Sequence, residues 1–331
     1  MGYTDLIGTD DSSALAREQA SAEIIKEIPQ ASACLTLMKK LQNMSAKQYK
    51  MPVLSALPTA YWVDGIGEVG FQGEVTGLKQ TTKMAWANKY ITAEEIAVIV
   101  PIPQQILDDS AYDIWAEIKP AIAEAFGVLI DQTILYGTNA PTGFPDCVYD
   151  QIVAASNTVE YDSTSEDYDL YDRIWGVDGV LQKVRSMGYR PNGMMAGLTM
   201  EGMLDGLRDA NGNPIQLVAN PQGQEGVYTI KGKKVMVPIN GAFDETVAFM
   251  FAGAWDKAVY AFRQDMTFDI ATEATIHDAD GLPQYNLFQQ DMRALRCVMR
   301  LGWQVPNPIN RIIADPDSQC AFAALIPPAE E

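Results

Sequence analysis

The single histidine and the cysteines limit the chemistry that this chain could perform. His277 is the one histidine in 331 residues, and histidine is the commonest general base and metal ligand in proteins. It lies beside Asp278 and Asp280, but a metal site would need a second histidine or a convergent cysteine. We therefore interpret His277 as a loop residue and predict no catalytic residue, no metal site and no cofactor.

The cysteines are far apart in the sequence and form no CxxC pair. They are Cys34, Cys147, Cys297 and Cys320. This spacing favours neither a zinc ribbon nor a disulfide scaffold, and it is typical of buried thiols in a protein made in the cytosol.

Three further motifs have weak functional interpretations. Residues 65–70 match the GxGxxG pattern, but in a dinucleotide-binding fold that pattern must begin a helix, and the residues that follow are rich in glycine and β-formers. Residues 209–214 resemble a calcium loop that lacks the closing glutamate, so turns are expected there. The basic cluster formed by Lys231, Lys233 and Lys234 is expected to pair with neighbouring carboxylates rather than with nucleic acid.

Composition and charge exclude several classes of protein. The chain has 47% hydrophobic residues, and its 24 Lys and Arg against 43 Asp and Glu give a formal net charge of −19. This composition is typical of a globular protein, with one elaborated fold or two to three domains. The negative charge opposes tight binding to DNA phosphates or anionic lipid. We expect no signal peptide and no membrane span, because no apolar segment is long enough.

The first hundred residues are predicted to contain little core of their own. Residues 12–40 have the composition of two short helices interrupted at Pro29, and residues 41–60 lose periodicity. The first 60 residues therefore resemble an arm that needs a partner surface. Residues 60–71 and 83–100 are predicted as strands of a hairpin whose tip is residues 72–82.

The clearest predicted helix covers residues 113–136, where apolar residues recur at helical spacing and Gly137 ends the pattern. Pro120 lies inside it and predicts a bend. Residues 146–172 contain many carboxylates and no Lys or Arg, so they form either a solvated linker or an exposed acidic surface.

The second half of the chain is predicted as mixed α and β structure. Helices are expected at residues 170–187 and 199–208, and strands at 227–238, 246–251, 258–276 and 285–304. The hairpin and arm would leave apolar residues uncovered in one subunit, including Trp62, Val69, Phe71 and Trp86. Such residues are aggregation sites unless neighbours cover them, which favours a protein that assembles with itself.

Several segments, taken in order, resemble the major capsid proteins of tailed phages of the Hong Kong 97 type. The segments are residues 58–63, Glu68, Lys79 and Lys83, residues 96–103, residues 105–110, the long helix ending at residues 136–139, residues 251–260, residues 293–296 and residues 305–306. Each segment alone is moderately specific, but together they span most of the chain.

The resemblance implies an α+β fold, the Hong Kong 97-type capsid fold, with named parts. These are an N-terminal arm (1–60), an extended E-loop hairpin (61–95), a peripheral domain with a long spine helix (96–165), an axial domain (166–258), return strands of the peripheral domain (259–305) and a C-terminal segment returning towards the axial domain (306–331). The sequence departs from the family's larger members in one respect: too few residues precede the E-loop for a fused scaffolding domain, which argues against self-scaffolding.

The resemblance also implies a function. The chain would self-assemble into hexamers and pentamers of an icosahedral shell that encloses the double-stranded DNA of a tailed phage or prophage. Its partners would be copies of itself, a portal, and a separate scaffolding protein or protease, with no membrane. It would be made in the bacterial cytoplasm and located in the virion. Alternatives are an encapsulin-like compartment shell and, from another class, an acidic cytosolic enzyme.

The inter-subunit residues that the resemblance implies are those of the E-loop. They are Trp62, Glu68, Val69, Phe71, Lys79, Lys83 and Trp86, and Pro120 is the expected bend in the spine helix. Some relatives cross-link an E-loop lysine to an asparagine of a neighbour. Lys79 or Lys83 could fill the lysine role, but the sequence identifies neither the asparagine nor its glutamate partner.

Overall fold

The computed structural model describes most of the chain. The described residues are 32–60, 82–109, 113–162, 169–208, 218–219, 227–278, 280–313 and 319–328. The predicted helix before Pro29, the GxGxxG motif, the expected hairpin tip up to residue 81 and the calcium-like loop lie outside these ranges.

The described residues form mixed helix and sheet, which agrees with the expected α+β class. The helices are α1 (Ala33–Leu37), α2 (Gln104–Asp109), α3 (Ile114–Tyr136), α4 (Val148–Ala154), α5 (Leu170–Trp175), α6 (Val180–Ser186) and α7 (Leu198–Asp205). The strands are β1 (Lys39–Lys40), β2 (Gln48–Ala56), β3 (Ala85–Thr92), β4 (Glu94–Pro103), β5 (Thr158–Glu160), β6 (Gly193–Ala196), β7 (Val218–Ala219), β8 (Val227–Ile230), β9 (Lys233–Met236), β10 (Met250–Gly253), β11 (Val259–Ala271), β12 (Thr275–His277), β13 (Pro283–Asn286), β14 (Met292–Gln304) and β15 (Phe322–Ile326).

Long antiparallel strands build the first sheet. In the described part of the chain its order is β1-β11-β14-β4. Val259 of β11 pairs with Gln304 of β14, and β14 pairs along its length with β4. One face is apolar and packs against α3, as the alternating pattern of β4 requires. The other face carries most of the charged side chains, and Arg300 donates to Glu95 across it at 2.7 Å.

Short, fully buried strands build the second sheet. Its order among the described residues is β5-β15-β10-β6-β9-β8-β7. The strands β6 and β10 are buried at every position, which is why they are apolar runs without alternation. The edges are β5 on one side and β7 on the other. Helices α4 and α6 pack on strand β15 of this sheet.

The long helix α3 matches its prediction to within one residue. The side chain of Asp113 accepts hydrogen bonds from the backbone N–H groups of Trp115 and Ala116, which caps the helix start. Gly137 ends it at a φ of 71°, in the left-handed region that favours glycine. Pro120 lies within the helix and cannot donate to the carbonyl of residue 116. A bend at Pro120 remains a prediction.

One hydrophobic core joins α3 to both sheets. The C-terminal residue of α3, Tyr136, lies edge-on to Phe251 of β10 with ring centroids 5.8 Å apart. Nearer its start, Lys119 lies over the ring of Phe268 on β11, with the amine 5.8 Å from the ring centroid. Ile122, Phe126 and other apolar residues of α3 are buried between these points. The two sheets are therefore held through one helix.

The structure corrects the predicted hairpin. Residues 48–56, expected to be part of an extended arm, form strand β2, and β2 pairs with β3. Residues 83–100, expected as one strand, divide at Ala93 into β3 and β4. The backbone N–H of Ala93 donates to the carbonyl of Lys47 at 2.8 Å, and β4 pairs instead with β14. This pairing joins segments distant in sequence, so local periodicity could not indicate it.

The described part of the acidic stretch is folded rather than a linker. It contains α4 and the edge strand β5, and Val148 and Ile152 are buried. Asp150 and Glu160 are exposed. Of the two alternatives, the linker was wrong and the exposed acidic surface is correct for the described residues.

Other predictions gave the right type of secondary structure but the wrong extent of the helix or strand. The helix expected at 170–187 divides into α5 and α6 at Gly176 and Gly179. The strand expected at 227–238 is the hairpin β8–β9. Its turn residues Lys231 and Gly232 have φ values of 48° and 76°, the pattern of a type I′ turn. The strand expected at 246–251 begins at Met250, because Thr246 is held in a turn by the Asp244 carboxylate.

A buried carboxylate attaches α1 to α3. Asp131 of α3 is 1% exposed. It accepts hydrogen bonds from the Ser32 hydroxyl at 2.5 Å and from the backbone N–H groups of Ala33 and Cys34 at 2.9 and 3.0 Å. Burial raises the pKa of the Asp131 carboxyl, and these hydrogen bonds partly offset that rise. The carboxylate thus supplies the acceptors that the first turn of α1 lacks.

We predict that Asp131→Ala weakens this attachment. It leaves two buried N–H groups without an acceptor, so the free energy of unfolding should fall by about 2–4 kcal/mol. Urea denaturation followed by circular dichroism measures the change. Glu124→Ala, on a half-buried position of the same helix, is the control and should change stability by under about 0.5 kcal/mol. An Asp131 variant as stable as this control would contradict the role given to the carboxylate.

Candidate assembly interface

The described residues bring no candidate catalytic or metal-binding cluster together. No group of three His, Cys, Asp or Glu residues is placed to hold a metal ion within the described ranges. His277 is exposed and is the last residue of strand β12, so its interpretation as a loop residue was wrong. All four cysteines are free and buried, as predicted. Burial raises the pKa of Cys147 to about 11 and that of Cys320 to about 12, so these thiols stay protonated and weakly nucleophilic at neutral pH.

A large cavity lies between the end of α3 and the loop before β10. It has a volume of about 720 Å³. Two of its lining side chains hold backbone groups: the Tyr136 hydroxyl accepts from the backbone N–H of Asp244 at 2.9 Å, and Glu245 accepts from the N–H of Thr199 at 2.7 Å. Burial raises the pKa of Tyr136. These bonds fix the loop to α3 and α7.

No described helix is both long enough and apolar enough to span a membrane.

The most distinctive surface is the hairpin β2–β3, because its two faces differ. On one face Ile91 is 0% exposed and Val53 is 9% exposed. Ile91 packs in a small cluster with Met44, Ala93, Val259 and Ala261. Gly302 of β14 allows this close approach, since a Cβ there would lie 2.4 Å from the carbonyl oxygen of Thr92. The covered face of the hairpin is thus attached to the first sheet.

The opposite face of the hairpin exposes two large aromatic side chains. The cross-strand pairs on it are Lys50 with Tyr90, Pro52 with Asn88, and Leu54 with Trp86. Trp86 is 62% exposed and Tyr90 is 48% exposed. Burial of a large aromatic side chain contributes more binding free energy than burial of a smaller one, and aromatic residues are enriched in protein interfaces. We call this face the aromatic face; it is a candidate contact surface for another protein chain.

The expected interface residues are only partly within the described structure. Trp86 lies on the aromatic face, and Lys83 is exposed just before β3. Trp62, Glu68, Val69, Phe71 and Lys79 lie outside the described residues, so their predicted role stays a prediction.

A second exposed apolar group was not singled out from the sequence. Leu282 lies in the turn between β12 and β13, and Phe288 lies between β13 and β14. Their side chains are 63% and 73% exposed. The Asp278 carboxylate accepts from the N–H groups of Asp280 and Leu282 at 3.0 and 2.8 Å, which holds the turn. The sequence signal that could have identified them is the presence of two bulky apolar residues in a turn-rich segment between two long strands.

Among the described residues the basic cluster does not pair with carboxylates, contrary to the expectation. The amine of Lys231 donates to the Tyr171 hydroxyl at 2.7 Å and lies 4.3 Å and 4.8 Å from the ring centroids of Tyr171 and Trp175. The amine of Lys233 donates to the carbonyl of Pro191 at 2.5 Å. Lys234 is exposed and has no ion pair within the described residues. Aromatic and backbone groups therefore hold the cluster while its charge remains uncompensated.

Comparison with known proteins identifies similar chains. The model of the phage capsid family matches residues 13–313. The major capsid protein of Staphylococcus phage 80alpha is 25% identical over 311 residues, which cover 92% of this chain and 82% of that protein. A solved structure from Microbacterium phage Oxtober96 is 32% identical with a TM-score of 0.79 and covers 98% of this chain and 100% of its own. One from Mycobacterium phage Adephagia is 25% identical with a TM-score of 0.80, covering 99% and 100%.

We predict that Trp86→Ser with Tyr90→Ser leaves the isolated subunit folded and removes its self-association. Both side chains are exposed in the subunit, so the free energy of unfolding should change by under about 0.5 kcal/mol per residue. Light scattering should show at least a tenfold loss of higher-order assembly.

The matched control is Ile91→Ala on the covered face of the same hairpin. This substitution should lower the free energy of unfolding by about 2–5 kcal/mol, because it leaves a cavity under the hairpin. If the double serine variant assembles at the wild-type rate, the aromatic face is not a contact surface.

Proposed function

The chain belongs to the phage capsid family, and we propose that it is a major capsid protein whose copies form hexamers and pentamers of a closed icosahedral shell. The observation that carries this proposal is the aromatic face. Trp86 and Tyr90 are held at fixed positions by a covered face beneath them, yet they remain exposed in one subunit. A second copy of the chain supplies the missing cover.

The parts of the subunit take the roles that the family resemblance implied, with one change of boundary. Because β2 and β3 form one ladder, we infer that the E-loop begins near residue 48 rather than at residue 61 and ends near residue 92. The arm is then the residues before 48. Helix α3 is the spine helix, and the first and second sheets belong to the peripheral and axial domains respectively.

The assembly mechanism follows from repeated, moderate contacts. Interfaces of roughly 1,000 Å² or more are stable when symmetry closes them into a ring or shell. The aromatic face contributes apolar area, and the exposed turn with Leu282 and Phe288 contributes a second contact. Pro120 gives the spine helix a bend at which its curvature could change when the shell matures, since the helix lacks one backbone hydrogen bond there.

We propose that the shell encloses double-stranded DNA without binding a particular sequence. The net charge of −19 keeps the wall from adhering to phosphate groups. The further partners are a portal and a separate scaffolding protein or protease, the site of synthesis is the bacterial cytoplasm, and the destination is the virion. The chain itself performs no catalysis in this proposal. The encapsulin-like alternative has less support, because the relatives named above come from phages.

Removing the tip of the E-loop tests the proposal. Purified wild-type chain should form closed shells visible by electron microscopy. Deletion of residues 67–83, closed with a short Gly-Ser link, should leave a soluble subunit with near-normal circular dichroism that forms none. Replacing the same residues with a Gly-Ser segment of equal length separates the loss of side chains from the shortening of the loop. Shells at wild-type yield from the deletion variant would contradict an assembly role for the hairpin.

A further inference from the structure

The segment that follows β14 connects the hairpin β2–β3 to the rest of the subunit. It consists of residues 305–313, which form neither helix nor strand, and we call it the strap. Val305, Asn307 and Ile309 of the strap are buried. Because a segment without regular secondary structure must find partners for its backbone groups elsewhere, the bonds of the strap show what it holds. Its partners lie on two different parts of the subunit.

On one side the strap binds the hairpin. The backbone N–H of Ile309 donates to the carbonyl of Leu54 in β2 at 3.4 Å. The guanidinium group of Arg311 donates to the carbonyl of Pro58, just after β2, at 3.1 Å. These two bonds join the strap to residues more than two hundred positions earlier in the chain.

On the other side the strap binds the end of helix α6. The side-chain amide of Asn310 donates to the carbonyl of Met187 at 2.8 Å. The oxygen of the same side chain accepts from the N–H groups of Ile312 and Ile313 at 2.8 Å each. Gly188, with a φ of 81°, allows this approach, since a Cβ there would lie 2.6 Å from the amide nitrogen of Asn310. Asn310 therefore both shapes the strap and attaches it to α6, which packs on the second sheet.

The strap holds the hairpin at a second point along its length. The first point is the small cluster around Ile91, at the end where β3 meets β4. Tyr49 pairs with Ile91 across the hairpin, and Leu54 lies further along β2 by about 17 Å, at about 3.4 Å per residue. A hairpin attached at one point can pivot about it, whereas two separated points fix its direction.

We propose that the strap fixes the direction in which the hairpin projects from the subunit, with Asn310 as the positioning residue. This inference rests on the proposed function, because the hairpin is there the E-loop that contacts the neighbouring copy. A hairpin held in one direction before contact loses less conformational freedom on binding than a pivoting one. The strap thus favours assembly without itself touching the neighbour.

This role differs from stabilisation of the core. Among the described residues, Val305 is the one strap residue that belongs to the main hydrophobic core. Arg311 is exposed, and Asn310 is half-buried. Loss of either side chain therefore removes an attachment of the hairpin while the packing of α3 against the two sheets stays intact.

Two variants release the strap at its two attachments. Asn310→Ala removes the bond to α6, and Arg311→Ala removes a bond to the hairpin. Arg311→Lys keeps a cationic donor and is the conservative variant. Asn240→Ala, in the loop between β9 and β10, is the matched control. Asn240 is also half-buried, and its side-chain oxygen also accepts from a backbone N–H two residues further on.

Pulsed electron paramagnetic resonance measures the direction of the hairpin in unassembled subunits. Spin labels are attached at Asn88→Cys on β3 and at Glu160→Cys on β5 of the second sheet. Both positions are exposed, and the native cysteines are buried. Circular dichroism checks that each variant is folded. If Asn310→Ala does not fold, Arg311→Ala tests the inference alone, because its side chain is exposed.

We expect the distance between the labels to be narrowly distributed in the wild-type background, in Asn240→Ala and in Arg311→Lys. In Asn310→Ala and Arg311→Ala the distribution should be about twice as wide or more, because the hairpin then pivots. Light scattering should show that these two variants assemble about fivefold more slowly than Asn240→Ala, and that Arg311→Lys assembles as wild type does.

Three results would overturn the inference. The first is a distribution as narrow in the folded alanine variants of the strap as in the control. The second is slower assembly with unchanged distances, because the strap would then act by stability or by direct contact. The third is a wider distribution with assembly at the control rate, because the direction of the hairpin would then not matter.

Failure of the proposed function is distinguishable from failure of this inference. If the wild-type chain forms no shells, the proposed function fails. The distances between the labels are measured on single subunits and do not depend on shells. Widening in the strap variants would still support a fixed direction of the hairpin, and its absence would overturn it.

Discussion

Burial of the apolar side of α3 against both sheets is the interaction on which the rest of the structure depends. Ile122, Phe126, Ile130 and Ile134 are each at most 5% exposed, and burying such side chains contributes about 1.5–3 kcal/mol apiece. The first sheet shares a core with the helix, and the buried strand β10 of the second sheet meets its end at Tyr136. The carboxylate of Asp131 then attaches the chain before β1 to the same helix. Two sheets and one arm are thereby held in fixed relation.

The same arrangement explains why the subunit is incomplete alone. The shared core extends along α3, and the hairpin β2–β3 lies outside it, joined through a small separate cluster around Ile91. A two-stranded hairpin covered on one face has little stability of its own. Its aromatic face stays in water until another chain covers it. A rigid body that carries a partly covered projection is suited to assembly, because the projection adds contact area without disturbing the core.

Prediction from the sequence succeeded where the signals are local. Helix α3 follows from its apolar spacing, Asp113 at its start and Gly137 at its end. The family resemblance was confirmed by the match over residues 13–313. The predicted hairpin missed strand β2, because the residues of β2 have no alternation that identifies them as a strand. It also missed the division at Ala93, because that division depends on a hydrogen bond to Lys47, which is distant in sequence. Lys231 was assigned carboxylate partners because Tyr171 and Trp175 reach it only through the fold. Leu282 and Phe288 were missed because isolated exposed apolar residues have no periodicity.

The central claim is that the aromatic face is open in the subunit and covered in the assembly. Hydrogen exchange followed by mass spectrometry measures this directly, on unassembled subunits and on shells of the same chain. We expect amides of residues 48–56 and 85–92 to exchange at least tenfold more slowly in shells, because a covered hairpin opens less often. Amides in the buried middle of α3 should exchange equally in both states. Equal exchange of the hairpin amides in subunits and shells would contradict the account.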